Sequence, residues 1–192
     1  MKKYLISSLF LASSLFATNN DVHININNDT LEVGTEVFLN NLYDVDNSSN
    51  YYLDISYLKT EGYEDDPTLT LNTMGVKVMN PFENEYNIQF GLGIKSVYSN
   101  QFDKKFFSLP LALYMKYLVS DQIYINADAS YAPRVLSYYS ADNFTDFRVE
   151  ANYKLVENGY IFVGARSITA KYTMYGNIDY DKAMFVGYKI KF

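Results

Sequence analysis

Met184-Phe185-Val186-Gly187-Tyr188-Lys189-Ile190-Lys191-Phe192 is the last stretch of the chain. Every second residue is apolar: Met184, Val186, Tyr188, Ile190 and Phe192. Between them stand Gly187, Lys189 and Lys191, with Phe185 as the exception. A period of two is the strand period, because successive side chains point to opposite faces. The apolar face runs to the final Phe192, so one whole side of this strand must leave water.

At the other end, Met1 to Ala17 reads as a secretory signal peptide. Lys2 and Lys3 form its basic start, Tyr4 to Phe16 its apolar run, and Ala17 its cleavage residue. The run is short for a spanning helix, which needs about 20 apolar residues; a signal anchor is the other reading. Residues 18–192 then form one domain by length. No later segment reads as a spanning helix. A chain that lives in lipid without helices must close into a barrel, since lipid gives backbone groups no partners. Terminal strands that alternate and end on an aromatic residue are similar to those of bacterial outer-membrane barrels. That likeness implies that Tyr188, Ile190 and Phe192 form an assembly signal read by the barrel-assembly machinery.

Composition narrows the function classes. The 192 residues carry 16 Lys and Arg against 22 Asp and Glu, a net charge of −6. Nucleic-acid binding needs basic patches, so no nucleic acid is expected as a partner. There is no cysteine, which removes disulfides and thiolate metal sites. Tyr 20 and Phe 13 are many, as the interface girdles of membrane barrels require.

Working back from the end, alternation recurs. Leu31 to Leu39 alternates except at Phe38. Tyr51–Thr60 places Leu53, Ile55 and Tyr57 opposite Asp54 and Ser56. Thr68–Met79 has a blurred phase, with Leu69 and Leu71 on one face and Met74, Val76 and Val78 on the other, and a bulge near Thr73 is expected to reconcile them. Tyr86–Tyr98 alternates best. In Phe107–Tyr117, Pro110 lacks a ladder donor, so a bulge or missing bond is expected there. Ile123–Tyr131, Phe147–Leu155 and Tyr160–Ala170 follow, and Asn158-Gly159 marks a hairpin. Residues 40–50, 61–67, 99–105, 132–143 and 171–181 read as loops. Nine strands are clear, and the short Val22–Ile26 run supplies a tenth; eight is the alternative. The expected fold is all-β: a closed antiparallel up-and-down transmembrane barrel, monomeric, in a Gram-negative outer membrane, with both termini in the periplasm. A soluble β-sandwich or lipocalin-like barrel would show the same alternation with the faces reversed.

The later part of the chain resembles the YfaZ family of outer-membrane proteins. The matching residues are Tyr131-Ala132-Pro133 with Leu136-Ser137, then Ala151 and Tyr153, then Phe162-Val163-Gly164-Ala165-Arg166 with Ile168. The likeness covers residues 124–192. The family pattern is richer in glycine than this chain, which has 9. The resemblance implies a small outer-membrane barrel and brings no activity with it.

His23 is the only histidine. A Ser-His or His-Asp enzyme needs it at a catalytic site, and its place near the start of the barrel argues against an enzyme. No cofactor or metal is expected. Glu64-Asp65-Asp66 reads as a solvated acidic loop before a cation site. Lys104-Lys105 could meet lipopolysaccharide phosphates at the outer rim or serve as an ordinary polar loop. Three Asn-X-Ser/Thr triplets, at Asn28, Asn47 and Asn143, read as turns.

The inward set is Glu32, Glu36, Asp54, Lys95, Lys116, Asp128, Arg148, Glu150, Lys154 and Arg166. Both signs occur, and buried charges must pair. Ile88, Phe90, Leu92, Leu111, Leu113, Ile125, Val149 and Ala151 are expected to face lipid, with Gln89, Gly91, Ala112, Asn126, Arg148 and Glu150 in the lumen. Two roles follow. One is a structural or surface-interaction barrel with a plugged polar lumen, meeting outer-membrane lipid and lipopolysaccharide. The other is a narrow channel for small solutes.

Overall fold

The computed structural model describes residues 20–40, 49–62, 68–80, 87–101, 104–173 and 176–192. Met1–Ala17 and Glu64-Asp65-Asp66 lie outside them, as do most of the expected loop at 40–50 and the turn after Asn80. The strands are β1 (Asp21–Ile26), β2 (Thr30–Phe38), β3 (Asn50–Thr60), β4 (Leu69–Met79), β5 (Ile88–Gln101), β6 (Lys104–Ser108), β7 (Leu111–Leu118), β8 (Ile123–Ala132), β9 (Ser137–Tyr139), β10 (Ala141–Val156), β11 (Gly159–Tyr172) and β12 (Gly176–Lys191). All pairings are antiparallel. The order β4-β3-β2-β1-β12-β11-β10-β8-β7-β5 closes through β4–β5.

β6 and β7 both pair with β5, so they are two halves of one wall strand. They part at Leu109-Pro110, where the backbone N–H of Lys95 reaches the Pro110 carbonyl at 2.9 Å. The break expected at Pro110 is therefore present. β9 pairs with β6 as β8 pairs with β7, so β8 and β9 form another interrupted strand. The barrel has ten walls. Its first is the short β1, which joins β12 with Asp21 opposite Lys191. Both ends of the described chain therefore meet at one rim.

The large side chains of the outer face are apolar. Phe90, Leu92, Leu111 and Leu113 are 58–61% exposed, and Val163, Val186 and Phe147 are also exposed. Gln89, Ala112 and Glu150 are buried inside. That geometry excludes the lipocalin-like reading, in which Leu113 would lie in the core. Tyr51, Tyr117, Tyr153 and Tyr188 stand near the rim that carries the termini, with Tyr57 and Tyr131 toward the other. These are two aromatic girdles.

Several expected loops are strand. β5 runs to Gln101 and β6 starts at Lys104; β10 starts at Ala141; β11 reaches Tyr172 and β12 begins at Gly176. Only Arg134–Leu136, a 3-10 turn, breaks the 132–143 region at length. The walls consequently range from the 6 residues of β1 to the 16 of β10, a wider range than uniform spanning segments would give.

The reason is that the pattern inverts part-way up. On β5 the outward residues change from Phe90, Leu92 and Ile94 to Ser96 and Asn100, while the inward ones change from Lys95 to Val97. On β10 the switch lies between Phe147 and Thr145 outside, and between Asp146 and Phe144 inside. On β11, Val163 and Ala165 give way to Thr169 and Lys171 outside, and Arg166 gives way to Ile168, Ala170 and Tyr172 inside. On β12, Met184 gives way to Lys182 outside and Asp181 to Tyr180 inside. The interruptions lie near the same level: Leu109-Pro110, Pro133–Leu136 and the register shift between Ile168 and Thr169. Below this level the wall is apolar outside. Above it the outward residues of β10, β11 and β12 are mostly polar, and the wall encloses an apolar core of Leu58, Leu71, Val97, Phe106, Phe144 and Ile168 with Tyr172 and Tyr180.

This core explains the blurred phase of β4. Its register with β3 is continuous from Leu69 to Met79, so the bulge expected near Thr73 is absent. Leu71 points into the upper core while Met74 and Val76 point outward on the apolar outer face. Phe38 breaks alternation because it faces inward, 5.3 Å from Tyr52 between ring centroids.

Candidate functional site: the lumen

Inward positions are fixed by strand parity, and the interior below the apolar core is filled by charged side chains. Glu32 on β2 is 2% exposed and accepts a hydrogen bond from Arg148 Nη2 on β10 at 2.9 Å, across the lumen. Its other carboxylate oxygen meets Arg166, whose Nε also donates to Asp181. Arg166 Nη1 donates to Asn25 Oδ1 at 2.7 Å, and Asn25 Nδ2 donates to Glu32 at 2.9 Å. Phe185 lies under this cluster, its ring centroid 4.8 Å from the Arg166 guanidinium and 5.8 Å from that of Arg148. The residue that breaks the alternation of the last strand is thus a lumen residue that stacks on both arginines.

A second group centres on Lys95, whose Nζ lies 3.1 Å from Asp146 and 3.4 Å from Asp128. A third joins Lys189 to Glu150 at 3.2 Å, and Glu150 also accepts from Asn126 at 2.8 Å. Lys77 pairs with Glu36, and the ring of Tyr114 lies between Lys77 and Lys95 at 5.0 and 5.6 Å. Arg166–Asp181 joins the neighbouring β11 and β12, whereas the other pairs in these groups connect walls two or more strands apart, and Glu32–Arg148 and Lys95–Asp146 reach farthest across the lumen.

The expected charge set is therefore largely ion-paired, in four separate groups. Glu32, Glu36, Lys95, Asp128, Arg148, Glu150 and Arg166 each have an ion-pair partner. Asp54 lies inside beside Gly75 and Lys95, and its Oδ2 has no hydrogen-bond partner among the described residues. Lys116 is inside with its Nζ 4.8 Å from the Tyr124 centroid. Lys154 stands near the terminal rim, apart from the network. Sequence reading missed Lys77, Asp146, Asp181 and Lys189 as members. Asp181 fell in an assumed loop, and Lys77 in the strand whose phase was blurred. Parity alone would have found Asp146 and Lys189, which sit two residues from Arg148 and Lys191 on the same faces.

A cavity of 170 Å³ runs below the apolar core, lined by Asp54, Tyr114, Lys116, Tyr124, Lys189 and Lys191 among others. His23 faces it, with Nδ1 3.5 Å from Asp21 Oδ1 and its ring edge-on to Phe162. Tyr188, Ile190 and Phe192 of the expected assembly signal are 36–45% exposed and face outward. On the outer wall, Lys105 Nζ lies 4.9 Å from the Tyr139 centroid.

An apolar lipid-facing band, two aromatic girdles and a charged interior define a closed β-barrel of the outer-membrane type. No family model matches the chain, and no curated protein matches it. Among solved structures it is similar to outer-membrane expressed OmpT of Vibrio cholerae. The identity is 11% and the TM-score 0.43, over 85% of this chain and 56% of that one. The in-vitro folded form of that protein gives 9% identity and a TM-score of 0.42, over 90% and 64%. A loop L8 deletion mutant of it gives 9% and 0.42, over 91% and 63%. The chain thus spans between half and two thirds of the length of these proteins.

Proposed function

We propose that this chain is a plugged outer-membrane barrel with a structural or surface-interaction role and no enzymatic activity. One observation carries the reading: ion pairs bridge the lumen, and an apolar core closes it at the rim away from the termini. Buried charges that are paired across the interior resist separation by a passing solute, because opening a pair would strand a buried charge at about 3–5 kcal/mol per broken pair. The termini would face the periplasm, and the polar upper section the outside. There Lys105 and the aromatics around it would meet lipopolysaccharide. The barrel would act as a monomer, delivered by the barrel-assembly machinery.

Single-channel recording in planar bilayers tests this. The expected result is no stable unitary conductance from the purified barrel. A stable conductance that shifts when Arg148 or Glu150 is neutralised would establish the narrow-channel reading in its place.

A further inference from the structure

The change from apolar to polar on the outer face is not uniform around the barrel. On β10, β11 and β12 the upper outward residues are mostly polar. On β6 and β9 they are aromatic. Phe107 lies against Tyr138 at 5.9 Å between ring centroids, and Tyr138 and Tyr139 are 46% and 70% exposed. Between β8 and β9 the 3-10 turn carries Arg134 and Val135 out of the wall, and both side chains are 80% exposed. A contiguous exposed face of this kind marks an interaction surface.

Two cations stand on this face. Lys105, two residues from Phe107 on the outer side of β6, holds its Nζ 4.9 Å from the Tyr139 centroid and has no ion-pair partner among the described residues. Arg134 has one: its Nε lies 3.5 Å from Asp142 Oδ1, which also accepts from Thr173 Oγ1 at 3.0 Å. An exposed pair of that length is weak, so a phosphate can compete for the guanidinium. Below, the face continues into the apolar outer band. Tyr131 stands between Leu111 and Thr145, and beneath it Ala129 lies between Leu113 and Phe147. Those flanking columns are two strand spacings, about 10 Å, apart. They border an apolar groove of 530 Å³ lined by Leu113, Met115, Ala127, Ala129 and Phe147 among others.

From bottom to top the face therefore offers an apolar trough, aromatic rings and two cations. A phosphorylated glycolipid carries the same order: acyl chain, sugar, phosphate. Basic side chains take phosphate through strong charge-assisted hydrogen bonds, and rings with exposed faces suit a sugar better than the headgroup of a plain phospholipid. We propose that this face of β6, β8 and β9 binds a lipopolysaccharide molecule, with an acyl chain in the groove beside Ala129 and a sugar phosphate at Lys105 and Arg134. The site rests on the outward orientation given above to the upper section, and it locates the lipid contact of that reading on one sector of the wall.

The test reconstitutes the full chain in phosphatidylcholine vesicles containing lipopolysaccharide and extracts it in uncharged detergent. Native mass spectrometry then reads the lipopolysaccharide retained per barrel. Wild type is expected to keep a single molecule. Lys105→Gln with Arg134→Gln should lower retention about tenfold, because charge-assisted contacts to phosphate are lost. Ala129→Leu should lower it severalfold by filling the groove, with no change of charge. Lys182→Gln, whose lysine is held by Asp179 at 2.9 Å on β12, should change nothing. Each variant is checked for the heat-modifiable band of a folded barrel; if the double variant fails that check, Lys105→Gln alone should lower retention severalfold. No retention by wild type, undiminished retention by the folded glutamine variants, or equal displacement by phosphatidylglycerol would each overturn the site. Conductance distinguishes the two ideas: current with intact retention overturns the plugged barrel alone, and lost retention without current overturns the lipid site alone.

Discussion

Arg166 shows what a single residue contributes here. It is 3% exposed and holds Glu32, Asp181 and Asn25 together. Replacing it by methionine leaves Asp181 without its cation and Glu32 with Arg148 alone, and removing one partner of a buried pair costs about 3–5 kcal/mol. Urea unfolding of the folded barrel in micelles should show a midpoint shift of that order for Arg166→Met. Lys154→Gln, outside the network, should stay within about 0.5 kcal/mol. Gly187 carries a different constraint. A Cβ there would stand 2.3 Å from Phe162 Cζ and 2.6 Å from the Ile24 carbonyl oxygen. Phe162 can give way but the carbonyl of β1 cannot, so Gly187→Val should loosen the β1–β12 seam. Faster amide exchange in β1 than in β10 would report it.

At the scale of strands, the lipid-facing side is set by parity. Leu113→Arg puts a charge on the apolar band and should lower stability in bilayers by about 2–4 kcal/mol, whereas Ala112→Ser, one residue away and inside, should do little. Spin labels probe the inversion directly. A label at Leu113 should be relaxed by lipid-soluble oxygen, and one at Thr169 by a water-soluble agent, although both side chains point outward. Equal oxygen sensitivity at the two positions would remove the upper section from water. The lower part of each strand was legible because its alternation has one phase and one meaning. The upper part was not. Ala170, Tyr172, Tyr180 and Phe144 lie inward like any core residue, beside outward Thr169 and Lys171. A reader who expects apolar residues outside sees disorder in that mixture and assigns a loop. The site suffered the same way: the ten charges were found where the phase was clean, and Asp181 was lost where it turned over.

For the whole molecule, the plugged-barrel proposal has the ion pairs and the apolar core closing the lumen in series. Removing one should not open it. Phe106 and Phe144 stack in the upper core at 5.8 Å between centroids, with Tyr172 and Tyr180 against Phe106. Phe106→Ala with Phe144→Ala should lower stability by several kcal/mol through the cavity left behind and still give no conductance, because the Lys95 and Arg148 bridges remain. Adding Lys95→Gln and Arg148→Gln should be needed before current flows in a bilayer. Conductance from the aromatic double variant alone would show that the core is the sole barrier.

The turnover of polarity along β5, β10, β11 and β12 also sets a waterline. A barrel with a uniform apolar exterior can ride higher or lower at little cost. Here sinking by one turn of the pleat would push Thr169, Lys171 and Lys182 into hydrocarbon, and rising would lift Phe147, Val163 and Met184 into water. Depth is written into the wall, strand by strand, and thinner or thicker bilayers would have to deform to meet it.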